Sequence, residues 1–191
     1  ESVKNNWSAR ELERQKGSLL FERLAFSKDK KGLMKLAQKG QELQAYEDMI
    51  KDPYVLEFLG LKDEYSESDL EEGLIRHLET FLLELGTDFA FVARQKHFQI
   101  GNSDFFADLI LYSIPLHAYI VVELKATPFK PEYAGQLNFY INVVDDKLRG
   151  ENDNKTIGLL LCKGKDEVVA QYALTGYDQP IGISDYQLSK A

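Results

Sequence analysis

From Asp52 onward, short apolar runs alternate with amphipathic segments, a rhythm that predicts a mixed α/β sheet flanked by helices. DPYVLEFLGL predicts a short helix. Ser68-Asp69-Leu70-Glu71 opens a longer one running to about Leu85, with Leu70, Leu74, Ile75, Leu78, Leu82 and Leu85 along one face and Gly86 as its stop. FAFVARQKHFQI, a Gly101-Asn102 turn, FFADLILY and AYIVVELK read as three successive strands. The run Tyr119 to Val122 is apolar on both faces, which predicts a central strand of a covered sheet. After Pro131 a helix is expected to about Leu148, then strand TIGLLLC, helix DEVVAQYAL and a last short strand near Ile181 to Ile183. There is no internal repeat and no low-complexity linker.

Upstream of this pattern the chain reads differently. Trp7 to Phe26 has amphipathic helical spacing, with a Ser8/Glu11 capping signature at its start. A lysine-rich connection, SKDKKG, leads to a weaker helical stretch from Leu33 to Gln44. The expected division is therefore a helical arm over 1–51 and a sheet domain over 52–191. An arm without a core of its own is expected to pack on a second copy, on a partner subunit or on another domain. A start at Glu1 rather than Met leads us to expect a piece of a longer protein.

Composition narrows the class without deciding the chemistry. With 191 residues, 44% of them hydrophobic, the chain can bury a full core. Its single cysteine, Cys162 in IGLLLC, rules out an internal disulfide and is expected to act as a small buried apolar residue. Neither a long apolar run nor a secretory signal is present, so a cytoplasmic protein without a membrane span is expected. The net charge of −8 argues against a broad basic surface for nucleic acid. A local strip remains available in Arg94, Lys96, Lys125 and Lys130.

The candidate chemistry lies on one predicted hairpin: Asp108 in ADLILY, then Glu123 and Lys125 in YIVVELK. Strand alternation sends Glu123 and Lys125 the same way. If the turn centres on Pro115 and Leu116, Asp108 falls opposite Glu123, at roughly 4.5–5.5 Å between Cβ atoms. Two carboxylates that close repel unless a cation lies between them. An oxygen donor set of this kind suits Mg²⁺ or Mn²⁺, which also accept phosphate oxygens. Such a centre could hydrolyse a phosphodiester, with Lys125 orienting water or offsetting developing charge. Glu-x-Lys is also a common surface pattern, and an Asp at a strand edge discourages aggregation. These three residues alone do not decide between the readings.

Taken in order, the stretches Leu70-Glu71 with Leu74-Ile75, Phe81 to Gly86, Phe89 to Gln95, Asp108 to Tyr112, Val122 to Lys125 and Phe129 to Gln136 resemble the PD-(D/E)xK nuclease superfamily, and more closely the YhcG-type nuclease domain. The resemblance spans about Asp52 to Leu174. It implies a restriction endonuclease-like fold in which Asp108 and Glu123 hold the metal and Lys125 serves the water. Glu71 would be the further acid on the helix, with Glu72 as its adjacent rival. Gln136 and Tyr140, four apart on one helix face, resemble the Gln-containing element near such sites; the alternative is a surface amide and a core tyrosine. Arg94 and Gln95 would contact phosphate or orient Glu71, and Lys130 would add a substrate contact.

The implied activity is that of a Mg²⁺- or Mn²⁺-dependent endodeoxyribonuclease, acting on DNA that includes structured or branched forms, in restriction, defence or repair. The competing reading keeps the fold as a nucleic-acid or protein interaction module that makes no cuts. A glycosidase ranks far lower, because it leaves Lys125 unexplained and lacks an evident aromatic sugar cleft. Two departures from the family pattern, Ser113 where a His is usual and Ala126-Thr127-Pro128 where a glycine-containing link is usual, bear on substrate contacts rather than on the acids. His77, His97 and His117 lack metal-ligand spacing and are expected at the surface or in packing.

Overall fold

The computed structural model describes residues 45–61, 64–86 and 88–188. The expected helices of the arm, Trp7–Phe26 and Leu33–Gln44, lie outside them. Six strands form one sheet: β1 (Tyr54–Val55), β2 (Phe89–Ile100), β3 (Ser103–Ser113), β4 (Ala118–Leu124), β5 (Ile157–Cys162) and β6 (Ile181–Gln187), in the order β1-β6-β5-β4-β3-β2. β2, β3 and β4 are an antiparallel meander, whereas β4, β5, β6 and β1 run parallel. Helices α1 (Glu67–Arg76), α2 (Leu78–Leu85), α3 (Pro131–Lys147) and α4 (Glu167–Leu174) supply the layers. The sheet is therefore mixed and flanked by helices, as the sequence pattern predicted.

Each face of the sheet has its own core. Leu109, Leu111, Val122 and Leu124 pack with Leu70 and Leu74 of α1 and with Phe81 and Leu85 of α2. Ile110, Val121 and Leu160 pack with Leu137, Ile141 and Val144 of α3. Gly158 sets how closely α3 lies on β5, because a Cβ there would stand 2.6 Å from Ile141 Cδ1 and 2.9 Å from Leu137 Cγ. β4, buried along most of its length, lies between β3 and β5, so the doubly apolar run Tyr119–Val122 does mark a central strand.

Three elements differ from the sequence reading. The stretch expected as a short helix after Asp52 forms β1 and then a 3-10 turn over Glu57–Leu59. Tyr54, Val55 and Leu56 are all buried, which suits a strand added to the sheet margin better than a one-sided helix. The long helix expected from Ser68 to Leu85 is capped two residues earlier, at Ser66, and breaks in two. Ser66 is its cap: the Asp69 amide donates to Ser66 Oγ at 3.2 Å and the Ser66 amide to Asp69 Oδ2 at 2.8 Å. His77 leaves helical geometry (φ −113°, ψ 35°), and α2 then turns Glu84 inward, where Oε1 accepts the Val55 amide at 3.1 Å. Third, β6 runs on to Gln187, because Tyr186 and Gln187 pair with β1.

Candidate active site

The register of the meander brings the two acids together. Leu109 faces Val122 and Ile110 faces Val121, so one step further Asp108 stands opposite Glu123. There the ladder gives way to side-chain bonds: Asp108 Oδ2 accepts the Leu124 amide at 2.9 Å, and the Asp108 amide donates to Glu123 Oε1 at 3.4 Å. Lys125 extends the same strand direction, and its Nζ lies 3.8 Å from Glu123 Oε2. Both Glu123 (1% exposed) and Lys125 (8%) are buried.

Strand alternation breaks at this point. Ala107 packs with the α3-side core while Leu109, two residues on, packs with the α1-side core. Directly across on β2, Gln95 holds a left-handed backbone (φ 44°), a conformation that costs free energy in a non-glycine residue unless its surroundings enforce it. The consequence is that two consecutive side chains, Arg94 and Gln95, reach the same carboxylate: Arg94 Nε donates to Glu71 Oε1 and Gln95 Nε2 to Glu71 Oε2. Gln95 Nε2 also donates to Asp108 Oδ1 at 3.0 Å, so one amide links the helix acid to the strand acid. Irregularities that re-aim side chains in this way are frequent beside active sites.

Of the two neighbouring helix acids, Glu71 faces this cluster and is buried, whereas Glu72 points out and pairs with Arg76 at 2.5 Å. Tyr140, buried on α3, interacts electrostatically with both Glu123 and Asp108, and Gln136 is hydrogen-bonded to it from an exposed position. Lys130 stands exposed at the N-cap of α3, with no hydrogen bond or ion pair to the acids among the described residues. His97 pairs with Asp104 at the surface, and His77 lies edge-on to Phe58.

Two neighbours of Lys125 were not singled out from the sequence. Glu67 Oε2 lies 3.7 Å from its Nζ, and the Tyr133 ring centroid lies 5.2 Å away, with the Tyr133 hydroxyl bonded to Thr127 Oγ1 at 2.8 Å. Both were within reach of helical spacing, since Glu67 precedes Glu71 by four and Tyr133 precedes Gln136 by three.

The electrostatics define what the pair lacks. Burial, then repulsion from Asp108, pushes the Glu123 carboxyl up from 4.5 to about 8, against the opposing pull of Lys125. Burial also raises Asp108, partly offset by the Leu124 amide, Lys125 and Gln95. A cation between them would reverse both displacements. No group of three or more His, Cys, Asp or Glu side chains able to hold an ion occurs among the described residues. Two carboxylates suffice for Mg²⁺, which keeps several waters and completes its shell with substrate phosphate. The donor set therefore fits a hard divalent cation.

The chain spans half the length of a curated Escherichia coli (strain K12) protein named "Putative nuclease YhcG", with 41% identity over 188 residues, 98% of this chain. Among solved structures, an EndoMS–dsDNA complex covers 69% of this chain and 50% of its own, at 17% identity and a TM-score of 0.47. A repair endonuclease from Pyrococcus abyssi covers 65% and 50%, at 16% identity and a TM-score of 0.42. The model of the YhcG PDDEXK nuclease domain matches residues 47–191, and the chain belongs to that family.

Proposed function

We propose that this domain is a divalent-metal-dependent endonuclease that hydrolyses DNA phosphodiester bonds, in a cytoplasmic setting of restriction, defence or repair. The observation that carries the reading is the facing pair Asp108 and Glu123 at the break of the β3–β4 ladder, with the buried Lys125 ammonium 3.8 Å from Glu123. A scaffold gains nothing from burying two acids against each other, because desolvation and mutual repulsion both disfavour their ionised forms.

In this reading Asp108 and Glu123 hold Mg²⁺ or Mn²⁺. When bound, the ion polarises the phosphoryl group and lowers the pKa of a water. Lys125, an ammonium with three donors, orients the attacking water and offsets charge building on the phosphoryl oxygens. Hydrolysis adds that water across one P–O bond, leaving a phosphate on one side and a hydroxyl on the other. Glu71 fixes Arg94 and Gln95, and Gln95 passes that constraint to Asp108. Arg94, whose side chain is 41% exposed, keeps donors free for a phosphate beyond its Nε bond to Glu71. Tyr140 and Gln136 support the carboxylates from the α3 side.

The test is cleavage of supercoiled, linear and branched DNA with Mg²⁺, Mn²⁺ or EDTA by the wild type and by Asp108→Asn and Lys125→Met. Metal-dependent cutting by the wild type is expected, abolished by Asp108→Asn and strongly slowed by Lys125→Met. DNA binding without cutting by the wild type would replace the enzyme with the interaction module.

A further inference from the structure

Beyond the carboxylates, the meander presents a surface that the hydrolytic reading does not use. Phe98 and Phe105 face each other across β2 and β3 and pack into the α3-side core, where Phe105 meets Phe139 at 4.5 Å between centroids. Alternation turns their neighbours His97 and Phe106 to the opposite face. These two are also cross-strand partners, and their rings stack at 4.9 Å and 26°. His97 Nε2 is hydrogen-bonded to Asp104 Oδ1 at 2.6 Å, which fixes the ring. Phe106 nevertheless stays 49% exposed, with a large apolar ring left to solvent two residues from Asp108.

We propose that the His97–Phe106 stack is a platform for an unpaired nucleobase of the DNA substrate, so that the preferred substrates carry a single-stranded stretch or a base released from pairing next to the cut. The proposal rests on the nuclease reading and names the substrate class of that site. A π-face recognises any base without reading its edges, which matches an exposed ring that has no polar groups of its own. Two residues of β3 cover about 6.6 Å, close to two stacked base steps of ~3.4 Å. A base seated on Phe106 would lie within about two nucleotide steps of Asp108 along the chain. The pre-formed stack with a fixed histidine leaves little side-chain freedom to lose on binding.

The test uses the full chain in EDTA and oligonucleotides bearing 2-aminopurine, either within a single-stranded gap or fully paired, so that binding is read without cutting. Quenching of the probe in the gapped DNA is expected. Phe106→Ala should weaken that binding about 5- to 100-fold and abolish the quenching, Phe106→Tyr should restore both, and affinity for the paired duplex should stay within about twofold. Equal loss on both DNAs, or no change on either, overturns the platform. A shift of Phe106→Ala in sedimentation, with unchanged DNA binding, overturns it in favour of a contact between copies of this chain. A parallel Mg²⁺ cleavage assay separates the two ideas. Cutting with quenching indifferent to Phe106 sinks the platform alone; quenching lost with Phe106→Ala, in a protein that never cuts, keeps the platform and defeats the nuclease.

Discussion

Replacing Glu123 with Gln should stabilise the metal-free protein, in a manner that depends on pH. The carboxyl is displaced from 4.5 to about 8 by burial and by Asp108. At ~1.4 kcal/mol per pH unit, the buried ionised form is disfavoured by as much as ~5 kcal/mol. The direction is the reverse of the usual acid case, because the folded state binds the proton more tightly than the unfolded chain. Below pH 4.5 both states are protonated and no penalty exists; from 4.5 to about 8 the wild type loses stability progressively, and above about 8 the full loss is present. Gln removes that penalty and introduces an amide with imperfect partners, which costs ~1–3 kcal/mol. The net gain at pH 9 in EDTA is therefore ~2–4 kcal/mol, a rise in Tm of roughly 4–16 °C for a chain of this size. At pH 5 the gain should vanish or reverse. Thermal scans in EDTA at both pH values measure it, and a parallel pair in Mg²⁺ should stabilise the wild type but not the variant. A Tm difference that stays constant between pH 5 and pH 9 would refute the premise that Glu123 is a strained carboxylate awaiting a cation.

The remaining predictions concern separate parts of the molecule. Lys125→Met should lower the cleavage rate by ~10²–10³-fold with the fold retained, which circular dichroism and single-turnover cleavage together check; full activity in the variant would remove Lys125 from the reaction. Ser66→Ala deletes the cap of α1, where Ser66 Oγ accepts the Asp69 amide at 3.2 Å. It should cost ~1 kcal/mol, about 2–4 °C in Tm. Cys162, buried with its thiol pushed up to about 12 chiefly by desolvation, should resist a thiol reagent in the native state and react at once in denaturant; rapid native labelling would contradict the packing of β5.

The parts of this fold legible in the sequence are those where one period holds over many residues. The β2–β3–β4 meander, α3 and β5 each carry a clear alternation or helical repeat, and the turn centre at Pro115 and Leu116 was enough to place Asp108 across from Glu123. The elements misread are those in which tertiary contacts overrule local spacing. Tyr54 and Val55 lie in a stretch with helical composition, yet the open edge of β6 recruits them as a strand. Leu78 and Leu82 continue the apolar face of α1 on paper, but the break at His77 reorients their helix so that Glu84 can accept the Val55 amide. Glu71 and Glu72 could not be told apart by spacing. What separates them is the left-handed turn at Gln95, and no single-residue propensity marks that position, since a glutamine there is disfavoured until Glu71 and Asp108 hold its amide.

That same turn explains how three acids near one another divide their roles in the proposed enzyme. Glu71 takes charged and amide donors on both oxygens, from Arg94 and Gln95. Asp108 takes an amide on each, from Leu124 at 2.9 Å and Gln95 at 3.0 Å. Among the described residues, Glu123 receives a 3.4 Å contact from the Asp108 amide and the Lys125 ammonium at 3.8 Å. It is the most buried of the three and the least compensated. A charge-assisted bond at ordinary length is worth more than these long contacts supply. The unmet demand for positive charge is therefore concentrated between Glu123 and Asp108, and Glu71, already satisfied, gains least from a cation. Under the proposed function the helix acid would serve as an anchor that positions Arg94 and Gln95, and a metal would go to the strand pair, where the two carboxylates are least compensated.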